Sequence, residues 1–305
     1  MTTSPIPNLM QTLISAAALT QHVSDSNWVL LDCRHDLLNP QAGPDAFAAG
    51  HLPGAQFASN DHDLSSAKIG PDGQFRGRHP LPDQAAFIET LRRFGISNDT
   101  QVVAYDAHGG MYAARLWWML RWVGHAQVAV LDGGMAAWQA NGGTLSTATQ
   151  ERAPGQITLR PALVRTVDAQ HVLANLNGGP DQVLDARAAD RFRGENETID
   201  PVGGHIPGAK NRFFKDNLTA EGQFKAAAQL RDEFGALLPD VNHAIMQCGS
   251  GVTACHNLLA LEIAGLPGAA LYPGSWSEWC SDASRPVATG AATGVATGVA
   301  TGVAS

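Results

Sequence analysis

The chain has 305 residues, of which 44% are hydrophobic and 16% charged, a composition typical of a globular protein with room for about two domains. No stretch approaches the roughly 18 consecutive apolar residues that a membrane-spanning helix needs. The net charge is −8 and no basic block occurs, which argues against a nucleic-acid-binding protein. We therefore expect a small-molecule partner, with no nucleic acid and no membrane.

The cysteines indicate the compartment. Cys33, Cys248, Cys255 and Cys280 are too few and too scattered for a disulfide scaffold, and none has the spacing of a zinc site. We therefore expect neither a metal nor a cofactor. No Lys or Arg precedes Arg34, so the positively charged start of a secretory signal is absent. These features predict a cytoplasmic location, where free thiols stay reduced.

Short apolar runs alternate along the chain with segments of helical periodicity. Helices are predicted at 85–94 and 254–264, each followed by a glycine that is a natural helix end. Buried strands are predicted, in chain order, at 29–31, 102–105, 128–131, 183–184 and 244–246. This alternation is typical of an α/β fold with a parallel sheet.

The same succession of motifs occurs twice. Residues 29–34 match 182–187, and about twenty residues later 50–55 match 204–209. Two further matches follow in the same order, 101–106 with 243–248 and 132–138 with 273–279. Four matched landmarks in one order predict two copies of one α/β unit.

The composition between and after the copies predicts the domain limits. Residues 141–161 are rich in Gly, Thr, Ser and Pro and lack sustained periodicity, as expected of a surface connection. After residue 286 the chain repeats Ala-Thr-Gly-Val without charge or large side chains, which predicts disorder. The predicted limits are an N-terminal domain at 1–145, a linker at 146–160, a C-terminal domain at 161–286 and a disordered tail at 287–305.

The stretch 246–255 carries the strongest chemical signal. A predicted strand runs there into a loop with two glycines that opens a helix, and Cys248 stands where strand and loop meet. Main-chain N–H groups of 249–253 can converge on its sulfur, and the positive end of the helix stabilises a thiolate. Cys248 is therefore predicted to be an activated nucleophile. The other three cysteines lack this setting and are predicted to be structural.

The tandem units, the His-[Leu/Ile]-Pro-Gly-Ala stretches at 51–55 and 205–209 and the Cys-Gly-Ser-Gly-Val-Thr-Ala-Cys loop at 248–255 resemble the rhodanese superfamily. The resemblance runs from about Asn27 to Pro286. It implies an α/β protein of two tandem rhodanese-like domains, each a parallel sheet flanked by helices, and is strongest to the branch that acts on 3-mercaptopyruvate. Only the C-terminal domain is active in this family, and here Asp106, which cannot carry a persulfide, stands at the N-terminal position that matches Cys248.

The resemblance also implies a reaction. Cys248 would take sulfur from a small-molecule donor as a persulfide and pass it to cyanide or to a thiol acceptor, such as a small thiol or a thioredoxin-like protein. Ser250 would pass a proton or hold the anion. The loop would bind the sulfur charge through its main chain, an electrostatic stabilisation that is ready before the reaction begins. The residues expected to bind substrate in this way are Gly249, Gly251, Val252 and Thr253.

The lack of charged residues directly after the cysteine favours 3-mercaptopyruvate as the donor. Thiosulfate-preferring relatives place basic residues directly after the cysteine, where this chain has neutral Gly249 and Ser250. Arg191 matches the family's substrate-binding arginine and would bind the carboxylate. A second arginine typical of mercaptopyruvate enzymes is missing from 195–201. Either Arg193 or Lys210 substitutes for it, or the site binds its substrate more weakly or takes a different donor. Thiosulfate sulfurtransferase stays the alternative function.

By the same resemblance, Asp61 and His79 correspond to an acid and a histidine that assist proton transfer. Cleavage of the C–S bond leaves an enolate of pyruvate that needs a proton, and histidine has a suitable pKa range for this work. Two other classes fit less well. A cysteine phosphatase requires an arginine six residues after the cysteine, where this chain has Ala254, and noncatalytic rhodanese-like modules usually lack the cysteine.

Overall fold

The structure is a computed structural model, and it describes residues 10–291. These residues form two compact units, one of 10–63 with 83–163 and the other of 64–82 with 164–291. The second unit therefore includes a segment of the N-terminal half of the sequence. Each unit contains a five-stranded parallel sheet flanked by helices, which confirms the predicted α/β repeat.

The first unit has the strand order β1-β5-β4-β2-β3. Its central strands β2 and β4 are almost completely buried, as expected where helices cover both faces of a parallel sheet. The strands are β1 (Leu13–Ile14), β2 (Trp28–Asp32), β3 (Gln56–Phe57), β4 (Gln101–Tyr105) and β5 (Val128–Leu131). The helices are α1 (Ala16–Thr20), α2 (Ala42–Ala49), α3 (Gln84–Arg93), α4 (Ala113–Trp122) and α5 (Gly134–Ala140).

The second unit repeats this order as β6-β10-β9-β7-β8. The strands are β6 (Arg165–Thr166), β7 (Gln182–Asp185), β8 (Lys210–Asn211), β9 (Ala244–Gln247) and β10 (Ala270–Leu271). The helices are α6 (Ala169–Asn175), α7 (Ala189–Arg193), α8 (Ala227–Gly235), α9 (Thr253–Ile263) and α10 (Ser275–Trp279), with short 3-10 turns at Phe214–Asn217 and Val241–His243. All five predicted strands are confirmed.

The two predicted helices lie within one residue of α3 and α9. The N-cap of α3 is Asp83, whose carboxylate accepts the first free N–H groups of the helix, and the chain leaves the helix at Gly95, with φ +78°. Helix α9 is buried along 254–261, including the polar side chains of His256 and Asn257. It packs against β9 and fixes the loop between them.

A charged pair repeats at the same place in both units. Arg34 binds Asp32 at 2.6 Å and Arg187 binds Asp185 at 2.7 Å, in each case directly after a central strand. Each arginine also donates to the carbonyl of the glycine that opens the His-[Leu/Ile]-Pro-Gly-Ala motif. Because a buried carboxylate needs a hydrogen-bonded partner, these pairs hold the motif against the strand end.

The chain is ordered beyond the predicted end of the second domain. Ala288 exchanges main-chain hydrogen bonds with His205, and the N–H of Gly290 donates to Arg193 at 2.9 Å. The second unit thus continues past Pro286, where the sequence placed the start of the tail, and the rest of that tail, 292–305, lies outside the described residues. Among the helices of 10–291, none has the length and apolar character needed to cross a bilayer.

Candidate active site

The loop of Cys248 lies at the carboxyl end of β9, the sheet edge where open α/β folds bind ligands. The N–H of Gly251 donates to Cys248 Sγ at 3.2 Å. Gly251 has φ +76°, and a β carbon on it would lie 2.3 Å from the carbonyl oxygen of Pro273. Only glycine fits this position without moving the loop, and its conformation aims a main-chain donor at the sulfur.

A second loop supports the first from behind. The N–H of Cys248 donates to Ser275 Oγ at 3.1 Å, and that hydroxyl donates to the carbonyl of Tyr272 at 2.9 Å. Ser275 is the one non-glycine residue within 10–291 that has a positive φ, +54°. Strain of this kind persists where the surroundings require it. Ser275 was not predicted from the sequence, although its counterpart in the first repeat is a glycine, Gly134, with φ +55°.

The equivalent loop of the first unit surrounds a carboxylate of the protein itself, that of Asp106. The carboxylate of Asp106 accepts the main-chain N–H groups of His108, Gly110, Tyr112 and Ala113 at 2.8 to 3.0 Å. This is the anion-binding loop conformation, filled by a side chain. The loop that follows β4 in the first unit therefore has the main-chain donors that stabilise negative charge.

All four cysteines are buried and free, so exposure does not distinguish Cys248 from the others. The thiols of Cys33, Cys255 and Cys280 each donate to a main-chain carbonyl, at 3.8, 3.3 and 3.9 Å. Burial, with the charge of Asp32 adding to it, holds the pKa of Cys33 well above its ordinary value. Burial and the charge of Asp200 raise the pKa of Cys280 to about 11. These features favour neutral thiols at Cys33 and Cys280, whereas the sulfur of Cys248 accepts the N–H of Gly251 and is the candidate nucleophile.

His79 reaches the cysteine loop from the segment 64–82. Its Nδ1 lies 2.8 Å from Ser250 Oγ, and both residues are buried. A hydroxyl in contact with an imidazole can relay a proton. Asp61, the acid implied beside His79, lies in the first unit, in the turn that follows β3.

Arg191 lies on α7, which ends at Gly194 with φ +79°. Its guanidinium donates to both carboxylate oxygens of Glu197, at 2.8 and 2.9 Å from Nη2, and to Asp200 at 3.4 Å. A β carbon on Gly249 would lie 3.8 Å from Arg191 Nη2. The structure thus places the guanidinium of Arg191 beside the cysteine loop.

A second arginine at this loop was missed from the sequence. Arg78 forms an ion pair with Asp200, and a β carbon on Gly249 would lie only 2.6 Å from Arg78 Nη2. The N–H of Arg78 donates to Ser277 Oγ at 3.1 Å, which fixes the main chain of this segment. The signal in the sequence was its position directly before His79. The lack of a charged residue at 249 and 250 therefore does not leave the loop without cations.

The residues expected to replace the missing arginine are engaged elsewhere. Arg193 pairs with Glu195 at 2.7 Å on the surface, and Lys210 donates to the carbonyl of Leu237 at 2.7 Å. These contacts give no support to either residue as the second arginine. Arg78, from a distant part of the sequence, lies there instead.

Two buried carboxylates share these arginines. The side chains of Glu197 and Asp200 are each 3% exposed, against 18% for Arg191 and 15% for Arg78. Burial opposes ionisation of Glu197, yet hydrogen bonds from Arg191 and from two main-chain N–H groups leave its pKa below the ordinary value. For Asp200, burial raises the pKa, against the attraction of Arg78.

Comparison with known proteins identifies the fold family. The profile of the rhodanese-like domain matches residues 15–141 and 168–282, which contain the Asp106 and Cys248 loops. The chain belongs to the rhodanese family. In this rhodanese the second domain holds the cysteine and the first domain holds a carboxylate in the corresponding loop.

Relatives of this rhodanese carry two names. It is 46% identical over 282 residues to a probable 3-mercaptopyruvate sulfurtransferase of Pseudomonas aeruginosa, covering 91% of this chain and 98% of that one. It is 41% identical over 291 residues to a putative thiosulfate sulfurtransferase of Mycobacterium tuberculosis, covering 92% and 98%. The solved Escherichia coli 3-mercaptopyruvate sulfotransferase superposes with a TM-score of 0.76 at 31% identity, covering 88% of this chain and 100% of that one.

Proposed function

We propose that this protein is a sulfurtransferase that moves sulfur from 3-mercaptopyruvate through a persulfide on Cys248 to a thiol or to cyanide, and releases pyruvate. The observation that carries the proposal is the loop itself, which presents a cysteine sulfur to the N–H of Gly251 with the guanidinium groups of Arg78 and Arg191 beside Gly249. The 46% identity to a protein named for this activity supports it.

The chemistry divides into two transfers. The Cys248 thiolate attacks the thiol sulfur of the donor, an S–S bond forms, and the C–S bond breaks with its electron pair left on carbon as the pyruvate enolate. The enolate takes the proton of the transferred sulfur and leaves as pyruvate, and the persulfide keeps the negative charge. An acceptor thiolate or cyanide then attacks the outer sulfur and restores the Cys248 thiolate.

The loop residues have distinct parts in this scheme. The N–H of Gly251 stabilises first the thiolate and then the persulfide charge, and the main chain of Gly249, Val252 and Thr253 completes the loop that holds it. Ser250, in contact with His79, relays the proton to the enolate. Arg191 binds the donor carboxylate. Asp61 is retained as a proposed participant on the resemblance alone.

Thiosulfate is the second candidate donor, because Arg78 adds a cation at the loop that the sequence did not reveal. A compact dianion needs more than one cationic partner, and Arg78 and Arg191 provide two. The 41% identity to a protein named as a putative thiosulfate sulfurtransferase agrees with this alternative.

The test is mass spectrometry after treatment with each donor. We expect 3-mercaptopyruvate to add about 32 Da, one sulfur atom, to Cys248, and Cys248→Ser to abolish both the added mass and pyruvate release. The matched control is Cys280→Ser, which removes a buried thiol of the same unit and should leave both intact. A persulfide mapped to Cys33, Cys255 or Cys280 in the parent protein would overturn the assignment.

The acceptor and the compartment follow from the same chemistry. We infer that the acceptor is a thiol, either small or on a thioredoxin-like protein, since a persulfide sulfur is transferred readily to a thiolate. What supports the reducing cytoplasm as the location is that all four cysteines are free. Measuring persulfide transfer from the loaded protein to a small thiol and to a reduced dithiol protein would distinguish the two acceptors.

A further inference from the structure

One carboxylate at the cysteine loop is not explained by the proposed roles. Asp200 lies between two guanidinium groups, with Oδ1 paired to Arg78 and Oδ2 at 3.4 Å from Arg191. Its side chain is 3% exposed. A buried carboxylate in contact with both arginines can change the net positive charge that they present to an anionic donor.

The two arginines differ in how fully they are neutralised. Arg191 already has a bidentate partner in Glu197, whose two oxygens lie 2.8 and 2.9 Å from its Nη2. Glu197 also contacts Arg187, at 3.3 Å. Arg78 forms an ion pair with Asp200, so Asp200 compensates the cation added to the loop by the segment 64–82.

We propose that Arg78 is the second anion-binding arginine of this site, and that Asp200 sets the donor preference by limiting the positive charge which Arg78 and Arg191 present together. The inference rests on the proposed function, since it concerns the donor taken by Cys248. It assigns to Arg78 the role for which the sequence offered Arg193 or Lys210.

The direction of the preference follows from charge. With Asp200 and Glu197 ionised, two cations face two anions, and the site presents little net charge to a donor. Removing the charge of Asp200 adds one positive charge, which attracts a dianion about twice as strongly as a monoanion at the same distance. The charge of Asp200 therefore weakens the binding of thiosulfate more than that of 3-mercaptopyruvate. The preference then arises from an unfavourable interaction with thiosulfate.

The experiment compares kcat/KM for the two donors in the parent protein and in Asp200→Asn, which has nearly the same shape without the charge. We expect the ratio of thiosulfate to 3-mercaptopyruvate turnover to rise by at least about tenfold in Asp200→Asn. Asp200→Glu restores the charge and should keep the ratio near that of the parent. A ratio that stays within about twofold in folded Asp200→Asn overturns the inference.

The matched control is Glu233→Gln. Glu233 also bridges two cations of the second unit, Arg212 at 2.5 Å and Lys225 at 3.0 Å. Its neutralisation removes a comparable carboxylate and should leave the donor ratio unchanged. If Glu233→Gln shifts the ratio as far as Asp200→Asn does, the effect belongs to the charge of the whole domain and the inference fails.

A second variant keeps the inference testable if Asp200→Asn does not fold. Arg78→Gln removes the cation itself, so we expect KM to rise for both donors. We also expect the ratio of thiosulfate to 3-mercaptopyruvate turnover to fall by at least about fivefold. An unchanged ratio in Arg78→Gln overturns the inference. Failure of the proposed function would look different, because the parent protein would then form no Cys248 persulfide with either donor.

Discussion

Gly251→Ala tests whether the main-chain donor at Cys248 contributes to the reaction. Gly251 has φ +76°, a conformation that costs an L residue about 1 to 2 kcal/mol. The added β carbon would also lie 2.3 Å from the carbonyl oxygen of Pro273. Two separate penalties therefore fall on the segment that positions the donor to the sulfur.

The size of the effect follows from these contacts. Ordinary contact of a β carbon begins at 3.4 Å, so the loop or Pro273 has to move by 3.4 − 2.3, or 1.1 Å. The N–H of Gly251 lies 3.2 Å from Cys248 Sγ, and such a shift breaks the hydrogen bond. A hydrogen bond to a charged group contributes about 1.5 to 3 kcal/mol, so kcat should fall by about 10- to 100-fold.

Gly208→Ala provides the matched control. Gly208 also has φ +76° and belongs to the second unit, but a β carbon on it would meet nothing within 4 Å. This variant should lose about 1 to 2 kcal/mol in the free energy of unfolding and keep its turnover. Urea unfolding and initial rates of pyruvate release measure the two effects separately. If Gly251→Ala turns over within about twofold of Gly208→Ala, the Gly251 N–H does not stabilise the reacting sulfur.

Three further outcomes are expected. Ser250→Ala should lower kcat by at least about tenfold, since it removes the hydroxyl in contact with His79, and an unchanged rate of pyruvate release would contradict the relay. Asp106→Ala should lower the free energy of unfolding by at least about 2 kcal/mol, since four main-chain N–H groups lose their acceptor, while persulfide still forms at Cys248. Despite the opposing effect of burial, hydrogen bonds from Arg212 and its neighbours lower the pKa of Glu233 from 4.5 to about 2, so this group stabilises the fold above pH 4.5 and the benefit is lost as the pH falls toward 2. The side chain of Glu233 is 26% exposed and its ion pairs are partly screened. In urea unfolding, the parent protein should therefore lose on the order of 1 kcal/mol more stability between pH 6 and pH 3 than Glu233→Gln loses.

The features that could be predicted from sequence depend on short stretches of chain. The central strands are buried on both faces and are therefore apolar runs, and the cysteine loop joins one of them to a helix within five residues, 248–252. The matched landmarks then reported the repeat, because each copy builds the same strand order. Arg191 was found from the family resemblance, because it stands in the short motif Asp-Arg-Phe-Arg-Gly at 190–194.

Other parts of the site depend on contacts between distant stretches, which leave no pattern in the sequence. Arg78 lies 171 positions before Gly249 in the sequence, yet its guanidinium lies beside that glycine. Proximity along the chain pointed to Arg193 and Lys210, whose side chains are held by Glu195 and by a main-chain carbonyl. The segment 64–82 belongs to the second unit although it stands between β3 and α3 of the first.

The two loops differ in a way that supports the proposal of one catalytic domain. In the first domain the main-chain donors converge on the carboxylate of Asp106, a side chain that cannot carry a transferred sulfur. In the second domain a sulfur stands at that strand end, and it can become an anion, accept another sulfur and become an anion again. A loop that stabilises charge at this place therefore holds structure when it carries aspartate and supports turnover when it carries cysteine. The strained Ser275 replaces the glycine of the first repeat, and its hydroxyl oxygen accepts the N–H of Cys248, so the second domain adds a support that the carboxylate loop does without.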